Sequence, residues 1–340
     1  MSPTTNHSLA ALTALLLVGG SGMARADHPS IAFGTATAGP ITTISAATLP
    51  QGMKSIGLQV EYVKSKGFSD QQLLDLDAQG IDAHGSDSLT STSLGFGYGV
   101  TADFTVGVRL PYVERSDLRA VHHGSVERLG SSSGMGDMTI LGKYRAINSP
   151  QDAYQAALLL GVKARSGDTS ERNSDGEPFS AEHQPGSGSW DGLLGAAASK
   201  AFGRTAVDAS VLYAFAGNGT QDTRLGDRMQ YNVAVSHRLG GEEAPHAHHL
   251  DHSKPHVHGP EAAWDLVLEI NGEWQGRQEV AGVTDEHSGG TLVYLSPGVR
   301  LGTGGNWSAN LSVGAPVVQK LRAAHAETDY RVLAGFSMSF

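Results

Sequence analysis

Long stretches of the chain are apolar at every second position, which is the period of a β-strand and not that of a helix. Residues 55–62 (SIGLQVEY) show this pattern, and residues 104–112 (FTVGVRLPY) repeat it. We expect the apolar set to face lipid and the small or charged set to face the inside of a barrel.

The alternation recurs in twelve segments, most of them about ten residues long, which is the length that a tilted strand needs to cross a bilayer. The sequence therefore predicts an all-β fold, a transmembrane antiparallel up-and-down β-barrel of about twelve strands with long extracellular loops. The segments are 55–62, 93–98, 104–112, 135–147, 153–165, 188–201, 204–215, 227–239, 263–276, 290–301, 306–317 and 329–340.

Aromatic residues cluster near the ends of these segments, as the interfacial girdles of a membrane barrel require. They are Tyr112, Tyr144, Tyr154, Trp264, Trp274, Trp307 and Tyr330.

The connections alternate between long and short, as they do when outer loops are long and periplasmic turns are short. Residues 115–134 and 166–186 are predicted as long loops, and residues 203–204 as a tight turn. Residues 130–134 (GSSSG) match the G-x-S-x-G pattern, which in a nucleophile elbow lies between a strand and a helix. Here a strand follows, so we interpret these residues as a flexible loop.

The connection after the first segment contains a helix-start signal. Ser69 followed by Gln72 forms a capping box just before Leu73 and Leu74. We therefore predict a short helix that begins near Ser69.

The final segment ends on an aromatic residue at the last position of the chain. Phe336, Met338 and Phe340 lie on its apolar face. This ending resembles the signal that the barrel-assembly machinery recognises, so we predict that machinery as a partner.

The N-terminus predicts export. An apolar run at residues 10–18 precedes Ala24 and Ala26, an A-x-A cleavage site, although no Lys or Arg precedes the run. We expect a cleaved signal peptide at residues 1–26, an extended periplasmic or lumenal segment at 27–52 and a barrel at 53–340. The predicted location is the outer membrane of a Gram-negative bacterium.

Composition removes several other classes of protein. The chain has 340 residues, 44 of them Gly, and no Cys, which excludes disulfide scaffolds and thiolate metal sites. The net charge of −10 argues against a nucleic-acid-binding protein. No apolar stretch reaches eighteen residues, so a helical membrane protein is excluded as well.

The same alternation assigns charged residues of both signs to the lumen, which argues against a filter for one sign of charge. Leu268→Arg should therefore impair assembly, whereas Glu269→Arg should be tolerated and change ion preference. The predicted lumen-lining residues are Glu61, Arg109, Lys143, Arg145, Lys163, Asp208, Glu269, Glu273, Arg300 and Arg331.

A His-rich insert occupies residues 241–260, between the eighth and ninth segments. Imidazoles suit Zn, Cu, Ni or Co, so the insert is a candidate site for a divalent transition metal, with a solvated spacer as the alternative. If both termini are periplasmic, the even-numbered connections are periplasmic too, and the insert lies in the eighth connection. No obligatory cofactor is predicted. The candidate ligands are His246, His248, His249, Asp251, His252, His256 and His258.

Three motifs resemble the outer-membrane transporter family of the MetA-pathway of phenol degradation. They are residues 39–50 (GPITTISAATLP), residues 109–113 (RLPYV) and residues 133–138 (SGMGDM), the last running on to Arg145. The resemblance implies a barrel transporter, with aromatic or hydrophobic compounds as substrates. It brings no catalytic residues with it.

The function we predict is a monomeric outer-membrane channel for the passive passage of small solutes, with no enzymatic activity. One alternative is a metal-binding or sensing barrel with a narrow or plugged lumen, in which the His-rich insert captures the ion. The other is an outer-membrane enzyme, for which the sequence shows no convincing arrangement of base and nucleophile.

Overall fold

The computed structural model describes residues 39–122, 124–240, 262–303, 306–323 and 326–340. The predicted signal peptide and the His-rich insert lie outside the described residues. Within the described ranges, no helix has the length and apolar character needed to cross a membrane.

Sixteen strands and one α-helix are found in the described residues. The helix is α1 (Asp70–Asp77). The strands are β1 (Lys54–Ser65), β2 (Ser88–Thr101), β3 (Phe104–His122), β4 (Ser125–Met135), β5 (Thr139–Ser149), β6 (Tyr154–Lys163), β7 (Asp191–Phe202), β8 (Thr205–Phe215), β9 (Thr223–Arg224), β10 (Arg228–Leu239), β11 (Ala262–Gln275), β12 (Glu279–Val280), β13 (Val283–Thr284), β14 (Gly290–Thr303), β15 (Trp307–Leu321) and β16 (Thr328–Ser339).

The main sheet closes into an antiparallel barrel. It runs in the order β2-β1-β16-β15-β14-β11-β10-β8-β7-β6-β5-β3, and β2 also pairs with β3. Strand β4 pairs with the far half of β3, while β5 pairs with the near half, so β4 and β5 share one position in the wall. The wall therefore has twelve strand positions, and the predicted fold is confirmed.

The two ends of the barrel differ in their connections. At one end, here called the turn end, residues 102–103, 150–153 and 203–204 join the strands, and Phe340 follows the last strand. At the other end, called the loop end, residues 66–87 and 164–190 form long connections. A small sheet of β9, β12 and β13 also lies between strands that meet at the loop end.

The outer surface carries an apolar belt. Many large apolar side chains that alternate with buried ones along the strands are 38% exposed or more. A belt of this extent is far larger than the apolar patches of soluble monomers and suits contact with lipid. Its members include Leu58, Phe96, Leu158, Leu160, Leu194, Val233, Leu266, Leu268, Ile270, Leu311, Val313 and Phe336.

The prediction of a long loop at residues 115–134 is wrong. Strand β3 continues to His122, and β4 returns alongside it from Ser125, so the segment is a long hairpin. Its apolar residues Leu118 and Leu129 pack with Phe179 from the connection between β6 and β7. Because a distant segment supplies this core, the local pattern of the hairpin carried little sign of it.

The flexible loop predicted at residues 130–134 is wrong for the same reason. These residues lie in β4, and Ser132 is fully buried, with its hydroxyl donating to the carbonyl of His183 at 2.7 Å. Since strand β5 and not a helix comes next, the serine does not occupy a nucleophile elbow.

The helix predicted from the capping box is confirmed. Ser69 is the N-cap residue of α1, and both reciprocal hydrogen bonds with Gln72 are present. Leu73 is the buried residue of the helix and packs with Ile81 and Ala83 inside the same connection.

The last strand completes the barrel by pairing with the first. Lys54 and Phe340 exchange two backbone hydrogen bonds of 2.9 Å. Phe336 and Phe340 are exposed on the outer face, and Met338 is partly exposed between them. The face assigned from the sequence is therefore the outer one, while recognition by the assembly machinery stays a prediction.

Candidate functional site

The interior of the barrel is the candidate functional site, because polar and charged side chains converge there. Most of the predicted lumen-lining residues have buried side chains, and the remaining three are at most 15% exposed. The buried ones are Glu61, Arg109, Lys143, Asp208, Glu269, Arg300 and Arg331.

Arg331 is the centre of one interior network. Its guanidinium donates to the Asn271 side chain at 2.6 Å, lies 3.7 Å from the Glu61 carboxylate and stacks over the ring of Tyr294 at 4.3 Å. Buried charges are tolerated when they are paired and hydrogen-bonded in this way. The network therefore holds its charges in place and leaves little net charge.

Other interior charges are paired across neighbouring strands. Arg228 lies 3.9 Å from Glu273, and Arg238 donates to Asp265 at 2.9 Å. Both signs thus occur along the inner wall. Arg145 takes a different place, since it binds Asp103 at the turn end.

Residues 39–50, here called the strap, lie inside the barrel and follow its inner wall. The Leu49 amide donates to Thr105 of β3 at 2.8 Å, the Ala46 amide to Ser199 of β7 at 2.9 Å, and the Ile44 amide to Ser210 of β8 at 3.2 Å. Most strap residues are buried. The strap is the first of the three motifs that resemble the transporter family.

Glu269 of β11 is the strongest attachment of the strap. One of its carboxylate oxygens accepts from the amides of Ile41, Thr42 and Thr43 at 3.0–3.1 Å, and the other accepts from Thr42 at 3.0 Å. Hydrogen bonds to an ionised acceptor are roughly twice as strong as neutral ones. Glu269 therefore holds the strap in place and is also part of the inner wall.

Two cations of the wall hold the carbonyl side of the strap. Lys143 donates to the carbonyl of Ser45 at 3.1 Å, and Arg300 donates to the carbonyl of Pro40. The strap lies outside the helices and strands, so its buried amides and carbonyls need partners from elsewhere. The charged wall residues satisfy that need.

These contacts change the expectation for Glu269→Arg. The alternation alone treats residue 269 as a free position on the lumen wall. In the structure an arginine there would place a cation against three amide donors, so we now expect the strap to be displaced.

Two cavities lined by described residues lie in the interior, and they have no lining residue in common. The loop-end cavity has about 650 Å³ of empty space, part of it open to solvent, and its lining includes Arg109, Pro111, Lys163, Ala214, Leu225 and Arg228. The turn-end cavity has about 540 Å³, and its lining includes strap residues Gly39, Pro40, Ser45 and Ala47. The strap thus occupies the turn-end half of the interior.

The third family motif ends at a break in the wall between β4 and β5. There the Asp137 carboxylate accepts from the amides of Ser166, Gly167 and Ser187 and from the Lys163 ammonium, at 2.9–3.2 Å. It also accepts from the Ser187 hydroxyl at 2.6 Å. One buried carboxylate therefore ties both ends of the connection between β6 and β7 to the break.

Close backbone contacts at this break require glycine. A Cβ atom on Gly167 would lie 2.7 Å from the backbone of Gly136, and one on Gly186 would lie 2.7 Å from Gly167. Such distances are below any normal Cβ contact, so a larger residue at either position would force the segments apart.

We expect Asp137→Ala to loosen this connection. Several buried donors would lose their acceptor, at a cost of about 3 kcal/mol, although Lys163 would keep Asp191 at 3.0 Å. Cleavage by trypsin after the exposed Arg172 should become faster while the barrel stays intact. Asp137→Asn, which keeps one carbonyl acceptor, should show a smaller change, and equal cleavage rates in all three proteins would contradict this role.

Two positions make contacts in the interior that the alternating pattern did not indicate. Arg228 shares the parity of the predicted lumen set but was not included in it. Asp137 appeared only as part of a family motif, and nothing in its spacing revealed its partners. The candidate ligands of the His-rich insert lie outside the described residues.

Comparisons with known proteins agree with this architecture. The sequence profile of the family described as "Putative MetA-pathway of phenol degradation" matches residues 82–331. The chain belongs to this family. No match to a curated protein was found.

Among solved structures, the protein is similar to an outer membrane channel from Pseudomonas putida F1. The identity is 15% and the TM-score is 0.58 over 87% of this chain and 98% of that one. The toluene transporter TodX of Pseudomonas putida (10% identity, TM-score 0.41, 88% of this chain and 95% of that one) is less similar. LpxR from Salmonella typhimurium is also less similar, with 10% identity and a TM-score of 0.41 over 84% of this chain and 99% of that one. At these identities the first similarity supports the outer-membrane barrel fold, and the other two carry no argument.

Proposed function

We propose that this protein is a channel for the passive passage of small solutes across the outer membrane of a Gram-negative bacterium. The observation that carries the proposal is a closed barrel of twelve strand positions, with an apolar belt outside and paired charges inside. Such a wall is polar enough to conduct solutes and is not a strong filter for one sign of charge. The protein would be exported by a cleaved signal peptide and act as a monomer.

We assign the turn end to the periplasm and the loop end to the outside. Membrane barrels have short periplasmic turns and long extracellular loops, and the connections here follow that rule except for residues 240–261, which contain the His-rich insert. In this orientation the strap enters the lumen from the periplasmic side, and a solute meets the loop-end cavity first.

We propose aromatic compounds as the first candidate solutes. The loop-end cavity combines apolar residues such as Pro111 and Leu225 with the cations Arg109, Lys163 and Arg228. Lys163 is paired with Asp137 and Asp191 of the same lining, so the excess positive charge comes from the arginines. A mixed lining of this kind suits a small amphipathic molecule with an aromatic ring and an anionic group. The family description, which refers to phenol degradation, points the same way.

The alternative is a plugged barrel whose work is metal capture or sensing by the His-rich insert. The strap favours it, because the strap occupies the interior near the turn end. On this alternative the barrel would be an anchor, and the insert would hold Zn, Cu, Ni or Co.

Uptake into liposomes tests the two functions. Benzenesulfonate stays ionised at neutral pH and crosses lipid slowly, so liposomes containing the protein should take it up several-fold faster than empty ones. Cyclohexanesulfonate, a non-aromatic sulfonate of similar size, is the matched control for solute class. Uptake equal to that of empty liposomes, together with no conductance in planar bilayers, would reject the channel and favour the plugged barrel.

A further inference from the structure

Two connections at the loop end bring three metal-ligand side chains together. His84 comes from the connection between β1 and β2, and Glu182 and His183 come from the connection between β6 and β7. One ligand atom from each residue lies within 4.8 Å of the other two. The three side chains are close in space although they lie far apart in the sequence.

The distances in this cluster approach those of a metal site. The Glu182 carboxylate lies 3.5 Å from Nδ1 of His84 and 3.8 Å from Nδ1 of His183. Ligands at about 2.0–2.1 Å from a tetrahedral zinc ion lie about 3.3 Å from one another. An ion would need to draw the carboxylate and each imidazole together by only a few tenths of an ångström, while the two imidazole nitrogens, which lie within 4.8 Å of each other, could approach further.

The cluster is largely shielded from solvent. The side chains of His84 and Glu182 are 15% exposed and that of His183 is 5% exposed. The two imidazole rings meet edge to face, with centroids 4.9 Å apart. Shielding reduces competition from water and strengthens the electrostatic attraction between a carboxylate and a cation.

Both halves of the cluster are anchored to the hairpin of β3 and β4. Gly85, next to His84, exchanges two backbone hydrogen bonds of 2.8 Å with Arg119. On the other side, the carbonyl of His183 accepts from Ser132, and the carbonyl of Gln184 accepts from Arg115 at 3.1 Å. The ligands are thus positioned by the wall and do not depend on loop conformation alone.

Two further side chains, Asp82 and Ser180, contact the imidazoles of the cluster. The Asp82 carboxylate lies 3.6 Å from Nε2 of His84, the nitrogen turned away from Glu182. A carboxylate on the far side of a ligand imidazole orients the ring and raises its basicity. Ser180 bonds to Nδ1 of His183 at 2.7 Å, and that hydrogen bond would give way if this nitrogen bound the ion.

We propose that His84, Glu182 and His183 form a binding site for one divalent transition-metal ion at the loop end. Two imidazoles and one carboxylate make a borderline ligand set of the kind that zinc takes, leaving a fourth position for water or another ligand. The bound ion would clamp the two connections to each other. This site is separate from the His-rich insert and does not rest on the proposed channel function.

Metal titration of the full-length protein tests the proposal. The background protein carries Asn in place of the six histidines of the insert, so that only other sites remain. After treatment with EDTA, calorimetry should show one Zn²⁺ bound per barrel, and Co²⁺ should give the visible absorption of a four-coordinate site. His84→Asn and Glu182→Gln should each weaken binding at least about 100-fold, because even outer-sphere losses cost 10- to 100-fold.

The matched control is His287→Asn, which replaces an exposed histidine in the connection between β13 and β14. It should leave the titration unchanged. Heat-modifiable migration on gels checks that each variant is a folded barrel. If His84→Asn does not fold, the nearly isosteric Glu182→Gln supplies the result. The absence of stoichiometric binding in the background protein would overturn the proposal, as would equal affinity in Glu182→Gln.

Discussion

Replacing Glu269 by alanine should release the strap and make the barrel conduct more readily. The substitution removes the acceptor of three buried strap amides, at a cost of about 3 kcal/mol. Since about 1.4 kcal/mol corresponds to a tenfold change in an equilibrium, the population with a released strap should rise roughly 100-fold. Single-channel recording in planar bilayers should show this as longer or more frequent open periods.

The matched control for this experiment is Glu273→Ala. Glu273 lies four residues further along β11 on the same inner face, but it contacts Arg228 and Gln230 of β10 and not the strap. It should alter ion preference with little effect on opening. Identical recordings from Glu269→Ala and the unmodified protein would show that the strap does not limit conduction.

Leu268→Arg should impair insertion and folding of the barrel. Leu268 is 48% exposed within the apolar belt, directly beside the inward-facing Glu269. An arginine at the bilayer midplane of a barrel costs roughly 2–4 kcal/mol. The amount of heat-modifiable protein in outer membranes should fall, and refolding into lipid vesicles should need lower urea concentrations.

Val283→Arg controls for the effect of a new charge as such. Val283 is 71% exposed, but it belongs to the small sheet at the loop end and not to the belt. We expect it to assemble like the unmodified protein. Equal assembly defects in both variants would contradict the assignment of Leu268 to the lipid face.

The hairpin of β3 and β4 shows where the alternation of apolar and polar residues no longer predicts the structure. Up to residue 112 the strand is bounded by lipid on one side and by the lumen on the other, so its residues alternate strictly. Beyond that point, Leu118 and Leu129 are covered by Phe179 from another connection. Without lipid on one face, the residues no longer need to alternate, and the strand resembles a loop in the sequence.

The sequence by itself determined the barrel, the positions of its membrane-spanning segments and the face that each segment presents to lipid. The physical reason is local, because each spanning residue must match either hydrocarbon or the lumen, and successive side chains point to opposite sides. Only the tertiary structure decided that the strap lies inside, that Glu269 holds it, and that Asp137 ties a long connection to the wall. It also brought His84 together with Glu182 and His183. These contacts join residues far apart in the chain through a few hydrogen bonds and close approaches, which leave no periodic pattern in the sequence.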